Sequence, residues 1–155
     1  MRSLLLLALA VLPITAQTLP FQPSYLVGSG VSYDYYGKTG FAVQSAFAAR
    51  IGTTKLYSYS DLANTSTTAS INTGAAYCFA GTANISLWAL GTAGLISGSG
   101  SPILGQFQGG GMMMYDVGNR LKPGNHYYVV GGVSVQNIAS VTVRPIYFVG
   151  FAAGF

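Results

Sequence analysis

Charged residues are scarce in this chain. Only 6% of its 155 residues are Asp, Glu, Lys or Arg, whereas an average soluble domain has about 25%. Glutamate is absent, and the three acidic residues are Asp34, Asp61 and Asp116. So few charges cannot cover an ordinary globular surface. The formal net charge of +4 is also weak and scattered, which argues against nucleic acid as a partner.

Cysteine and histidine occur once each, as Cys78 and His126. A single cysteine excludes an internal disulfide and a paired-cysteine zinc site, and a single histidine excludes a multi-histidine metal site. Glycine runs such as 109–111 do not open a helix and lack the pattern of a phosphate-binding loop. We therefore predict no metal and no cofactor.

Each of these two single residues has two possible roles. Cys78 could cross-link two copies of the chain, but its small neighbours favour a buried, unreactive thiol. His126 could belong to a Ser/His/Asp hydrolase. However, no acidic residue lies within four positions of it in the sequence. This favours an interfacial side chain beside Tyr127 and Tyr128.

Long apolar runs are missing after the first 16 residues. Met1-Arg2 is a short positive start, an apolar run follows at 4–12, and the small Ala16 suits the position before a cut. This pattern predicts a signal peptide at 1–16 and a single domain at 17–155; a retained N-terminal helix is the alternative. Beyond it, glycines and polar residues interrupt the most apolar segment, 85–96, so no transmembrane helix is available.

The C-terminal segment instead alternates between two kinds of side chain. Every second residue belongs to one set, which comprises Phe155, Ala153, Phe151, Val149 and Tyr147. The residues between them, on the other parity, are mostly small. A strand places such alternate side chains on opposite faces. At an open sheet edge this strand would be prone to association with other chains. In a closed barrel it pairs with the first strand and turns its rings toward lipid.

Similar alternation recurs along the whole chain. We predict eight strands, at 25–35, 40–51, 55–61, 70–80, 85–95, 105–117, 126–135 and 140–155. Most are close to the 9–11 residues, roughly, that a tilted strand needs to cross a bilayer. The predicted fold class is therefore all-β, a transmembrane antiparallel up-and-down β-barrel. Pro145 would need a bulge or an unpaired position in the last strand.

Tyrosine is abundant, with 11 residues. Many lie toward strand ends on the more apolar parity, which predicts aromatic girdles at the two membrane interfaces. The predicted girdles comprise Tyr25, Tyr33, Tyr35, Tyr57, Tyr59, Tyr77, Tyr115, Tyr127 and Tyr147. The strand at 85–95 cannot be oriented from its sequence, because Leu87 and Leu95 oppose Trp88 and Leu90.

In these features the chain resembles small bacterial outer-membrane β-barrels of the OmpX/OmpA transmembrane type. The resemblance rests on the signal peptide, the eight alternating strands and the closing aromatic strand at 141–155. It implies a place in the bacterial outer membrane, periplasmic termini, and external loops near 36–39, 61–70, 96–104 and 136–139. It also implies that the barrel-assembly machinery recognises a C-terminal signal formed by Phe155, Phe151, Val149 and Tyr147.

Four charged residues fall on the predicted interior face. Asp34 and Arg144 lie near the same end of the first and last strands, so they could pair across the barrel seam. Arg50 and Asp116 could pair near the periplasmic end. An unpaired charge in a narrow lumen would be costly unless water reaches it. The alternative is that each of the four is solvated at a barrel mouth.

The width of such a barrel limits its function. Side chains fill the interior of an eight-stranded barrel, which excludes a wide diffusion pore. We therefore predict an integral outer-membrane protein with a structural or surface role, not an enzyme, whose partner is the lipid bilayer. Three alternatives stay open: a narrow small-solute channel, a lipid-modifying outer-membrane enzyme that uses His126, and a secreted soluble β-sandwich binding module. The sequence names no ligand.

Overall fold

The computed structural model describes residues 22–34, 41–98, 100, 102–118, 125–138 and 142–155, with the backbone alone at Asp34 and Thr142. The predicted signal peptide at 1–16 lies outside these residues and stays a prediction. The described part contains no helix of the length and hydrophobicity needed to span a bilayer.

The described residues form one closed, antiparallel barrel in which each strand pairs with its neighbours in sequence and β1 pairs with β8. The strands are β1 (Tyr25–Asp34), β2 (Phe41–Arg50), β3 (Leu56–Asn64), β4 (Thr68–Gly81), β5 (Ile85–Gly98), β6 (Leu104–Gly118), β7 (His126–Ile138) and β8 (Thr142–Gly154). The predicted eight-stranded barrel is confirmed. The β-sandwich alternative is wrong, because a single sheet closes on itself and no second sheet packs against it among these residues.

The largest difference from the predicted strand bounds lies between β3 and β4. The polar loop expected at 61–70 is a short turn at 65–67, because β3 continues to Asn64 and β4 begins at Thr68. The Thr65 hydroxyl accepts the backbone N–H groups of Thr67 and Thr68 at 3.1 and 2.8 Å. Hydroxyl groups that bond to nearby backbone in this way favour tight turns. The polar composition therefore reflects turn chemistry at this position.

The seam between β1 and β8 extends to the last residue of the chain. The ladder runs from Leu26↔Gly154 to Asp34↔Ile146, and the Phe155 N–H donates to the Tyr25 carbonyl at 3.0 Å. Pro145 pairs with Val135 of β7 without a register shift. It lies one residue beyond the described ladder with β1. The described β8 therefore accommodates its proline at the end of a ladder and contains no bulge there.

The outer surface of the barrel is mostly apolar, with a few exposed serines such as Ser58 and Ser60. The predicted outward residues of β8 are exposed, with Phe151 at 72% and Val149 at 55%. Of the predicted girdle, Tyr25, Tyr33, Tyr77, Tyr115 and Tyr147 are exposed as expected. β5 turns Leu87 and Leu95 outward and buries Trp88 and Leu90. Among the side chains described in the strands, no charged group points outward; Arg50, Asp61, Asp116 and Arg144 all lie on inward positions.

The side chains of β3 face the opposite way to the prediction. Tyr57 and Tyr59 are 0% and 7% exposed inside the barrel, and Leu56 and Leu62 point outward. Asp61 shares the parity of both tyrosines, so an outward pair of rings would place its carboxylate in hydrocarbon, at a large cost. The girdle prediction is therefore wrong for Tyr57 and Tyr59. Tyr35 lies outside the described residues.

Candidate functional site

The barrel lumen has an apolar half and a polar half. The apolar half lies at the end of the barrel where β1 begins and β8 ends. The side chains that fill it include Leu26, Tyr57, Ala76, Trp88 and Met114. It retains a cavity of about 80 Å³. The polar half lies toward the turn at 65–67 and buries Asp61, Asn72, Gln106, Gln108, Ser134 and Gln136. The packing of the apolar half leaves no wide pore through the described barrel.

A chain of hydrogen bonds runs around the polar half from Arg144 to Asp61; we call these five residues the amide chain. Arg144 Nε donates to Gln136 Oε1 at 3.1 Å, and Gln136 Nε2 donates to Gln106 Oε1. Gln106 Nε2 donates to Asn72 Oδ1 at 2.5 Å, and Asn72 Nδ2 donates to Asp61 Oδ1 at 2.8 Å. Every donor points in the same direction, from the guanidinium toward the carboxylate.

The register of the sheet brings these five side chains together. Asp61 pairs with Asn72 across β3 and β4, and Gln136 pairs with Arg144 across β7 and β8. β5 lies between β4 and β6, and its residue at this level is Gly94, the partner of both Asn72 and Gln106. A Cβ at Gly94 would overlap Asn72 Oδ1 and the Ile71 carbonyl oxygen. The missing side chain therefore lets the two amides meet over β5.

The amide chain links the buried carboxylate of Asp61 to the half-buried guanidinium of Arg144 without direct contact between the two. A buried polar group without a partner costs about 1–3 kcal/mol, so the three amides are stable here because both ends of each find partners. Aligned hydrogen bonds in a region of low dielectric also strengthen one another. The chain therefore ties β3, β4, β6, β7 and β8 together from inside the barrel.

A polar cavity of about 60 Å³ lies beside the amide chain. Its lining includes Ser32, Gln44, Asp61, Ser70 and Arg144. Asp61 is only 3% exposed. One of its oxygens, Oδ1, is held by Asn72, and the other, Oδ2, has no hydrogen-bond partner among the described residues. Asp61 therefore keeps one buried carboxylate oxygen that no described side chain bonds.

The predicted pair between Arg50 and Asp116 is not formed. Asp116 Oδ2 lies 2.6 Å from His126 Nδ1, and Asp116 Oδ1 accepts the Gly118 N–H at 2.6 Å. A register shift between Asp116 and Gly118 of β6 adjoins this contact. Arg50 Nε is buried without a hydrogen-bond partner among the residues described. Sequence reasoning missed the His126–Asp116 contact because the two residues lie ten positions apart and on different strands.

The predicted pair between Asp34 and Arg144 is neither confirmed nor contradicted. The backbone of Asp34 pairs with Ile146, but its side chain lies outside the described part of the chain. Arg144 faces the lumen as predicted, and its described contact is with Gln136. The seam pair therefore stays a prediction.

Two further predicted residues lie near the apolar end. Cys78 is 1% exposed, forms no disulfide, and its thiol donates to the Ala80 carbonyl at 3.7 Å, so its predicted burial is confirmed. The ring of His126 stacks on that of Tyr128, with centroids 6.4 Å apart. In the described part of the molecule, no three His, Cys, Asp or Glu residues converge in a way that could hold a metal ion.

Residues 22–24, which we call the strap, lie at the mouth of the apolar half. Pro23 is buried, and its carbonyl oxygen accepts the Tyr57 hydroxyl at 2.9 Å. Pro23 also lies so close to Gly154 that a Cβ at that glycine would approach the proline ring to 2.9 Å. This strap helps to close the apolar half of the lumen from outside.

Solved structures with the same architecture are similar to this chain over most of its length, while no protein-family model and no curated protein sequence matches it. The outer membrane protein Ail of Yersinia pestis, solved in a phospholipid bilayer nanodisc, has a TM-score of 0.58 and 10% identity; 86% of this chain and 100% of Ail are covered. Neisserial surface protein A has a TM-score of 0.52 and 15% identity, with 84% and 93% covered. A de novo designed transmembrane β-barrel has a TM-score of 0.53 and 15% identity, with 85% and 96% covered. The closed topology, the largely apolar exterior and the similarity to these three structures show that the chain has the fold of the small transmembrane β-barrels. The resemblance to the OmpX/OmpA type implied this fold.

Proposed function

We propose that this chain is an integral protein of the bacterial outer membrane with a structural or surface role, and that it is not an enzyme. The observation that carries the proposal is the outer surface, on which the described strands present rings and aliphatic side chains and no charged group. Lipid accepts such a surface and water does not. The fold shared with Ail and Neisserial surface protein A supports the outer membrane as its location.

A charge placed on the outer surface tests whether that surface faces lipid. Val149 lies on an outward position near the middle of β8 and is 55% exposed. Arginine at the bilayer midplane of such a barrel costs about 2–4 kcal/mol, so Val149→Arg should lower the unfolding free energy in lipid vesicles by this amount. The matched control is Thr53→Arg in the exposed turn between β2 and β3, which should have little effect. Equal losses in the two variants would contradict a lipid-facing β8.

The C-terminal residues support a role for the barrel-assembly machinery as a partner. Tyr147, Val149, Phe151 and Phe155 are all exposed on the outer face of the closing strand. We expect Phe155→Ala, which keeps the backbone hydrogen bonds of the seam, to reduce the amount of folded barrel in cells while refolding into detergent stays nearly unchanged. Equal losses in cells and in detergent would instead assign Phe155 to the stability of the seam.

A lipid-modifying enzyme is a second candidate, favoured by the His126–Asp116 contact. A carboxylate at Nδ1 orients the imidazole, as in hydrolase triads. If this candidate is correct, His126→Ala changes the lipid profile of the membrane, and Cys78→Ala does not. Identical lipid profiles of the wild type and His126→Ala support the non-enzymatic proposal.

The channel alternative has a direct electrical test. Because apolar side chains pack one half of the lumen, we expect no steady conductance from the purified barrel in planar bilayers. Replacing Trp88, which is buried in this half, with alanine enlarges the cavity and is the variant most suited to reveal a latent path. Steady single-channel conductance in the wild type would favour the channel over the structural role.

A further inference from the structure

We propose that the apolar half of the lumen binds one small, neutral, apolar molecule in its cavity of about 80 Å³. The proposal goes beyond the structural role and requires only that the barrel is folded. Inward residues of all eight strands contribute to the lining of this cavity. The site therefore lies inside the lumen and is distinct from the lipid-facing surface.

The cavity exists because small residues line one side of the lumen. On this side β1 and β8 contribute Gly30, Gly150 and Ala152. A Cβ at Gly30 would overlap the Val149 carbonyl oxygen, and a Cβ at Gly150 would overlap the Ser29 carbonyl oxygen. The close approach of the two strands therefore requires glycine at both positions, and no side chain there can fill the space.

The side chains of β5 and β6 form an adaptable wall of the cavity. They include Trp88, Met112 and Met114. Methionine is unbranched and flexible, so it adjusts its shape to a neighbouring molecule. The indole N–H of Trp88 already donates to the Ser86 hydroxyl at 2.8 Å, which leaves its ring as an apolar contact for a guest.

The chemistry of the lining favours a guest that is neutral and apolar. None of the described residues that line the cavity is charged, and a charged guest would lose its hydration without gaining a partner, at a large cost. Apart from Trp88, only Gln44 and Tyr59 bring a polar side chain to the inward lining. A buried water needs about two to four polar partners, so most of this space suits an apolar molecule better than water.

The size of the cavity restricts the guest further. An apolar cavity of roughly 150 Å³ takes up benzene or xenon, and this one has about half that volume. The guest is therefore of the size of xenon or of a two-carbon halide. Hydrogen-bonded ladders close the described barrel, so a free molecule can enter when a ladder opens briefly, whereas the tail of a lipid would hold the ladder open.

The test uses bromoethane as the guest and Trp88 as the reporter, because bromine quenches indole fluorescence at short range and Trp88 is the single tryptophan of the chain. Bromoethane is titrated into the refolded barrel in lipid vesicles. We expect a saturable phase of quenching in the wild type, in addition to linear quenching by bromoethane dissolved in the lipid. Ala46→Leu should remove the saturable phase, because Ala46 lines the cavity and leucine fills it. The matched control Ala93→Leu, on the exposed outer face, should keep it.

Two outcomes of the titration would overturn the proposal. One is linear quenching alone in the wild type; the other is a saturable phase that Ala46→Leu retains. If Ala46→Leu does not fold, or if both variants lose the phase, crystals of the wild type are pressurised with xenon. Anomalous scattering from xenon between Trp88 and Gly150 supports the site, and its absence there at saturating pressure refutes it. Neither result bears on the membrane location, which Val149→Arg tests separately.

Discussion

Gln106→Leu is the substitution that most directly probes the amide chain. Gln106 is 1% exposed, donates to Asn72 Oδ1 at 2.5 Å and accepts from Gln136 Nε2. Leucine has a similar volume but can do neither, so a buried acceptor on Asn72 and a buried donor on Gln136 lose their partners. At about 1–3 kcal/mol for each group, we expect the unfolding free energy to fall by about 2–6 kcal/mol.

The assay is equilibrium unfolding of the refolded barrel in lipid vesicles, followed by Trp88 fluorescence. Phe107→Leu is the control. Phe107 follows Gln106 in β6, but its side chain points outward and is 65% exposed. Adding Gln136→Leu should cost less than the sum of the single losses, since it removes a group that the first substitution left unpaired. A loss below about 1 kcal/mol for Gln106→Leu would refute the claim that these bonds stabilise the lumen.

Three further predictions concern other parts of the wall. Gly94→Ala should destabilise the barrel by about 1–3 kcal/mol through overpacking, whereas Gly91→Ala, whose Cβ meets open space, should change the unfolding free energy by less than about 0.5 kcal/mol. Cys78, at 1% exposure, should react with a maleimide only after denaturation, and rapid labelling of the folded barrel would contradict its burial. Tyr57→Phe removes the bond to the Pro23 carbonyl and should cost about 1 kcal/mol in unfolding free energy; cleavage by a broad-specificity protease within or next to residues 22–24 that is no faster than in the wild type would contradict the strap.

Alternation was sufficient to predict the fold. Strands such as β2 and β8 have a clear period of two, so their bounds and outward faces follow from the sequence. β3 is the informative failure. Its tyrosines resemble girdle residues, yet Asp61 shares their parity, and the cost of a carboxylate in lipid outweighs the preference of the rings. Weighing that one charge would have oriented the strand correctly.

The candidate site was far less accessible to sequence reasoning. Asn72, Gln106 and Gln136 are uncharged residues on three strands, and their contacts depend on register, which alternation does not specify. Gly94 is one of many glycines, and its role is visible only when its neighbours on both sides are known. The His126–Asp116 contact likewise adjoins a register shift.

The central claim is that this chain forms a closed barrel whose apolar wall lies in a membrane. Its most direct test compares boiled and unboiled samples of the outer-membrane fraction by gel electrophoresis. We expect the unboiled protein to migrate as a compact form and the boiled protein to shift to the position of the unfolded chain. A protein recovered from the medium or the soluble fraction, with identical migration before and after boiling, would contradict the account.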